Sequence, residues 1–126
     1  MNFFNTAFDG KRGMEDDPAV YSEFIESADL VEVQRLAHLM GTTINQVHGD
    51  TYEVGQAFSL YATAGASDDY AYSRHRVNPG LGRVLSFTME CGHEFQPDNA
   101  GREDVIREVS AALLTFAAEV KIGAIA

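Results

Sequence analysis

Apolar residues recur at helical spacing in two stretches of the chain. Leu30, Val33, Ala37, Met40, Ile44 and Val47 follow one another at steps of three and four, which lines them along one helix face. Asp29, with Glu32 three residues on, makes a capping-box-like start. Gly41 weakens the middle slightly, and His48-Gly49-Asp50 ends the helix as a turn. Ile106, Val109, Leu113, Phe116 and Val120 repeat the pattern and predict a second amphipathic helix. Glu103 and Asp104 near its start suit the helix dipole, and residues 121–126 are expected to fray.

Between these helices the period changes to two. Leu85, Phe87 and Met89 alternate with Val84, Ser86, Thr88 and Glu90, so Val84 to Glu90 reads as a strand with one apolar face. Glu90 then sits at the strand's C-terminal end, on the face shared with two hydroxyls, where open α/β sheets bind ligands. Residues 52–60 read as a second short strand and 61–67 as a loop. Asp68 to His75 reads as a helical turn with Ser67 as its cap. Asn78-Pro79-Gly80-Leu81-Gly82 is a turn cluster, and no helix opens directly after its glycines, so it makes no phosphate motif. Residues 92–101, with Pro97, are a loop, and residues 1–26 are mostly loop. The expected class is α/β, one region over 1–126 with about two helices packed on a small sheet.

Composition narrows the range of functions. The 126 residues are 45% hydrophobic and 22% charged, ordinary for a globular domain, and no apolar run reaches the length of a membrane span. The N-terminal residues lack the basic and apolar regions of a signal peptide. A formal net charge of -10 disfavours nucleic acid and anionic membranes as partners and is compatible with cationic ligands. Cys91 is the single cysteine, which excludes an internal disulfide and a cysteine-based zinc cluster.

Two segments carry the candidate chemistry. One is Tyr61-Ala62-Thr63-Ala64-Gly65-Ala66-Ser67-Asp68-Asp69-Tyr70-Ala71-Tyr72, the other Ser86-Phe87-Thr88-Met89-Glu90. In order and spacing they resemble the tyrosine loop, the Gly-x-Ser-x-Asp-(Trp/Tyr)-x-Tyr segment and the Ser-Phe-Thr-x-Glu strand of zinc metallocarboxypeptidases of the carboxypeptidase A/B type. Asp9-Gly10-Lys11-Arg12-Gly13 and Tyr72-Ser73-Arg74-His75 are similar to bacterial members in particular. The resemblance implies the C-terminal part of a catalytic domain with a carboxypeptidase-type mixed sheet and flanking helices. It assigns Glu90 the role of general base and acid beside a zinc-bound water. It makes Tyr61 the mobile tyrosine that closes over the substrate. It places Asp68 in the pocket for the C-terminal side chain, with Thr88 lining the same pocket. Asp69 becomes a structural aspartate, with Gly65 and Ser67 completing the motif. An aspartate at the pocket floor would favour peptide or protein C-termini ending in Lys or Arg.

The departures from the family pattern bear on activity. In the family the zinc ligands are a His-x-x-Glu pair and a distant histidine, all upstream of the tyrosine. Here His38, His48, His75 and His93 have no Glu or Asp three residues later, so no metal ligand is assigned. His48, Asp50 and Glu53 have a spacing unsuited to a single helical face, and His93-Glu94 reads as loop surface. Without the resemblance, Glu90 reads as a solvated strand end, Asp68 and Asp69 as acids at a helix start, and Cys91 as a small buried hydrophobe. The expectation is therefore a zinc exopeptidase region that supplies the catalytic glutamate and pocket loop. It would bind no zinc and cleave no peptide alone, and it would need a complementary N-terminal half. A second expectation is a non-catalytic peptide-binding module or truncated product. Either form would expose a strand edge and a helix face, which invites self-association.

Overall fold

The computed structural model describes residues 2–3, 25–56 and 66–123. The segment 4–24 and the segment 57–65, which holds Tyr61 and Gly65, lie outside the described residues. In chain order the elements are β1 (Asn2–Phe3), α1 (Ser27–His48), β2 (Gly55–Gln56), α2 (Ser67–Val77), β3 (Phe87–Thr88) and α3 (Asn99–Gly123). Among the described residues no helix is long and apolar enough to cross a membrane.

The expected α/β class with a carboxypeptidase-type mixed sheet is not what forms. Helices of 22, 11 and 25 residues dominate, while the three strands are two residues each. β1 bridges β2 in parallel and β3 antiparallel, pairing Asn2 with Gly55 and Thr88, and Phe3 with Gln56 and Phe87. Pairs this short make no sheet layer, because a layer needs strands of about five residues paired along their length. The period-two signal of 84–90 survives as packing: Leu85, Phe87 and Met89 lie against the core, while Thr88 and Glu90 face out. The apolar side of this segment is covered by helix, as Phe87 meets Phe116 of α3 edge-to-face with ring centroids 5.7 Å apart.

α1 follows its sequence pattern. Val33, Ala37, Met40 and Ile44 are buried in one core cluster with Ile25, Tyr72 and Ala112. Its start differs from the capping-box reading. Glu26 takes the N-cap position with no side-chain cap bond, and Glu32 pairs with Arg35 at 2.9 Å instead. Asp29 falls inside the first turn, buried. At the other end Gly49 has φ 100, and its N–H donates to the Asn45 carbonyl at 2.8 Å. That left-handed geometry is open to glycine at little steric cost, so the chain can turn sharply between His48 and Asp50. α2 begins at Ser67, with Ala66 rather than Ser67 at the N-cap position.

α3 packs on α1 with a face rotated from the expected one. Ile106, Leu113 and Val120 are 57%, 55% and 47% exposed, whereas Glu108 and Ala112 are 1% and 0% exposed. Small Ala112 shares the cluster with Ala37, and small residues let two helix backbones approach closely. Thr115 donates to Thr43 at 3.2 Å, and Arg35 bridges to Glu119 at 2.8 Å, fixing this side of α3 against α1. The helix opens at Asn99, earlier than expected, because the Asp98 carboxylate accepts the Gly101 N–H at 2.8 Å and caps it.

Candidate functional site

Three sets of polar side chains stand out, and the first is the one the motifs mark. Glu90 and Thr88 are exposed at the end of β3, and Cys91 next to them is exposed too, not buried as its residue type suggests. Asp68 and Asp69 sit in the first turn of α2, 2% and 7% exposed, with Ser67 exposed before them. Neither oxygen of Asp68 accepts a hydrogen bond from the described residues. A carboxylate out of water and without donors is costly, and the α2 dipole offsets only part of that. No hydrogen bond or ion pair among the described residues joins Asp68 to Glu90.

The second set centres on Asp29, which the sequence marked only as a cap. Its carboxylate accepts the Tyr72 hydroxyl at 2.8 Å and lies 3.4 Å from His75 Nε2 and 3.3 Å from Arg83. His75 Nδ1 accepts the Val84 N–H at 3.3 Å, which leaves the ring proton on Nε2, facing Asp29. Burial, reinforced by the bond to Asp29, pushes the Tyr72 hydroxyl up to about 12. This network locks α2 and the segment before β3 onto the start of α1.

The third set lies where α1 ends. The left-handed Gly49 turns His48 and Asp50 toward the first turns of α3, and Glu108 faces them from that helix. One donor atom from each of His48, Asp50 and Glu108 lies within 4.8 Å of the others. His48 Nε2 is 2.9 Å from Glu108 Oε1 and 3.6 Å from Asp50 Oδ2. His93 Nε2 hydrogen-bonds Asp50 Oδ2 at 2.9 Å and, with a contact to Glu108 and the charges of His93 and His48, holds Asp50 below the usual carboxylate range. Tyr52 donates to Glu108 Oε2 at 2.6 Å, and Gly92 N–H donates to the Tyr52 oxygen at 3.3 Å. Burial, then the Glu108 bond, pushes the Tyr52 hydroxyl up to about 12. Gly92 has φ 78, and a Cβ there would come within 3.2 Å of Val105, so glycine lets the His93 loop close on α3. A cavity of about 330 Å³ opens onto these groups.

The sequence spacing argued against a metal site at His48, Asp50 and Glu53, and the structure groups His48 and Asp50 with Glu108 and not with Glu53. Glu108 was missed because an acid among apolar helix positions reads as solvent-facing. Its one signal is the stripe Val105, Glu108, Ala112, offset from the expected apolar face.

The family model for zinc carboxypeptidases matches residues 11–111, a span that takes in Tyr61, Asp68, Thr88 and Glu90. The chain belongs to the zinc carboxypeptidase family, metal-dependent proteases whose complete enzymes work with zinc. No curated protein matches the sequence. Among the described residues the three metal-type donors that come together are His48, Asp50 and Glu108, and Glu90 is not one of them.

Proposed function

We propose that this chain is the C-terminal, bacterial-type part of a zinc carboxypeptidase catalytic domain that selects peptides with a basic C-terminal residue. Asp68 carries the reading. It is 2% exposed, neither oxygen accepts a hydrogen bond from the described residues, and it occupies the motif position that in this family lines the side-chain pocket. A guanidinium or ammonium group supplies the donors and the charge that this carboxylate lacks. Glu90 and Thr88 at the end of β3 are accessible, as a proton-transferring carboxylate and a pocket hydroxyl need to be. Tyr61 closes over the bound terminus. The sequence holds no His-x-x-Glu pair to bring a zinc-bound water to Glu90, and on that ground the isolated chain binds peptide ends and does not hydrolyse them.

Titration of the purified chain with blocked dipeptides ending in Arg or Phe tests this. The Arg-ended peptide binds more tightly, Asp68→Asn removes the preference, and neither peptide is cleaved. Equal binding of both peptides, or a preference that survives Asp68→Asn, rejects the pocket assignment. Cleavage that disappears in Glu90→Gln rejects the claim of inactivity.

A further inference from the structure

We propose that His48, Asp50 and Glu108 form a binding site for a divalent transition-metal ion of the zinc type, separate from the centre in which Glu90 would act. Zinc bonds to imidazole nitrogen and carboxylate oxygen at about 2.0–2.2 Å, so tetrahedral donors stand roughly 3.3 Å apart. The two His48 distances, 2.9 Å to Glu108 and 3.6 Å to Asp50, fall on either side of that spacing.

Glu108 is poised toward the same point. It is 1% exposed, yet its Oε1 accepts no hydrogen bond, although His48 Nε2 lies 2.9 Å away. The two atoms approach without the alignment of a hydrogen bond, as two ligands of one ion do. The other oxygen is held by Tyr52 at 2.6 Å, which fixes the carboxylate and leaves Oε1 toward His48. That is the role of an outer-sphere partner in metal sites, and His93 plays the same part for Asp50 at 2.9 Å.

The surroundings favour a cation. Glu94, Asp98 and Asp104 line the same cavity, and their field raises the local cation concentration. A mixed imidazole and carboxylate set suits zinc and its transition-metal neighbours better than calcium or magnesium, which take oxygen donors. The ligands come from the end of α1 and from α3, so an ion here ties the two helices together, and its binding stabilises the fold.

The test uses the full chain stripped of metal and dialysed against Zn²⁺, with metal content and thermal unfolding as readouts. One Zn²⁺ binds per chain and raises the melting temperature, and excess Mg²⁺ does not displace it. His48 and Asp50 side chains are 31% and 34% exposed, so His48→Asn and Asp50→Asn keep the wild-type circular dichroism spectrum. Each weakens Zn²⁺ binding by about 100-fold or more, since even outer-sphere partners are worth about 10–100-fold. His93→Ala weakens it by about tenfold, and Glu90→Gln leaves it unchanged. No saturable binding at millimolar Zn²⁺ overturns the proposal. So does undiminished binding in folded His48→Asn or Asp50→Asn, and so does loss of binding in Glu90→Gln.

Discussion

The Tyr52 hydroxyl donates to the buried Glu108 carboxylate at 2.6 Å, joining the segment after α1 to the middle of α3 across 56 residues. The bond is charge-assisted and partly buried, with Glu108 the buried partner, which strengthens it over one in water. Tyr52→Phe removes the donor and keeps the ring. Stability in urea should fall by about 1.5–3 kcal/mol, the range for hydrogen bonds to charged groups. An unchanged midpoint would mean that water replaces the hydroxyl.

Alkaline pH should loosen the fold through Tyr52 and Tyr72. Both hydroxyls are pushed up to about 12 from an ordinary value of 10.0, each by burial first and by a carboxylate neighbour second. Between those values the folded state holds protons that the unfolded chain has released. Stability is therefore fully present below pH 10 and is lost as pH rises toward 12. Ultraviolet titration should show Tyr52 and Tyr72 ionising late, in step with unfolding. Ionisation of both near pH 10 in the folded protein would contradict it.

The rotated face of α3 is open to a paired substitution. Ala112 is fully buried, so Ala112→Leu overpacks the contact with α1 and costs about 1–3 kcal/mol. Leu113, on the face the apolar spacing predicts, is 55% exposed, and Leu113→Ala should stay within about 0.5 kcal/mol. Chemical denaturation of both variants decides it, and the reverse order would return the helix to the face its apolar spacing suggests.

The outward residues of that helix predict self-association. Ile106, Leu113 and Val120 repeat every seven positions and are exposed, the spacing by which two copies of one helix face can pair. Light scattering after size exclusion should show a species heavier than the 13.8 kDa chain, reduced by Leu113→Glu. A clean monomer at high protein concentration would refute it.

Local pattern along the chain was enough for the two long helices and for the family. Steps of three and four placed Val33, Ala37, Met40 and Ile44 on the face of α1 that is buried, because a helix repeats every 3.6 residues whatever surrounds it. The alternation at 84–90 placed Leu85, Phe87 and Met89 on the core side for the same kind of local reason. Motif order from Tyr61 to Glu90 was enough to point to zinc carboxypeptidases.

What those faces meet is set by long-range packing. Periodicity does not say whether an apolar edge is covered by a strand or a helix, and here helices replace the expected sheet. Nor does it fix which of two adjacent stripes a helix turns inward. Choosing the Ala112 stripe for α3 buried Glu108 and brought it 2.9 Å from His48, sixty positions earlier in the chain. That cluster depends on the rotation of one helix against another, a long-range packing choice that no local spacing encodes.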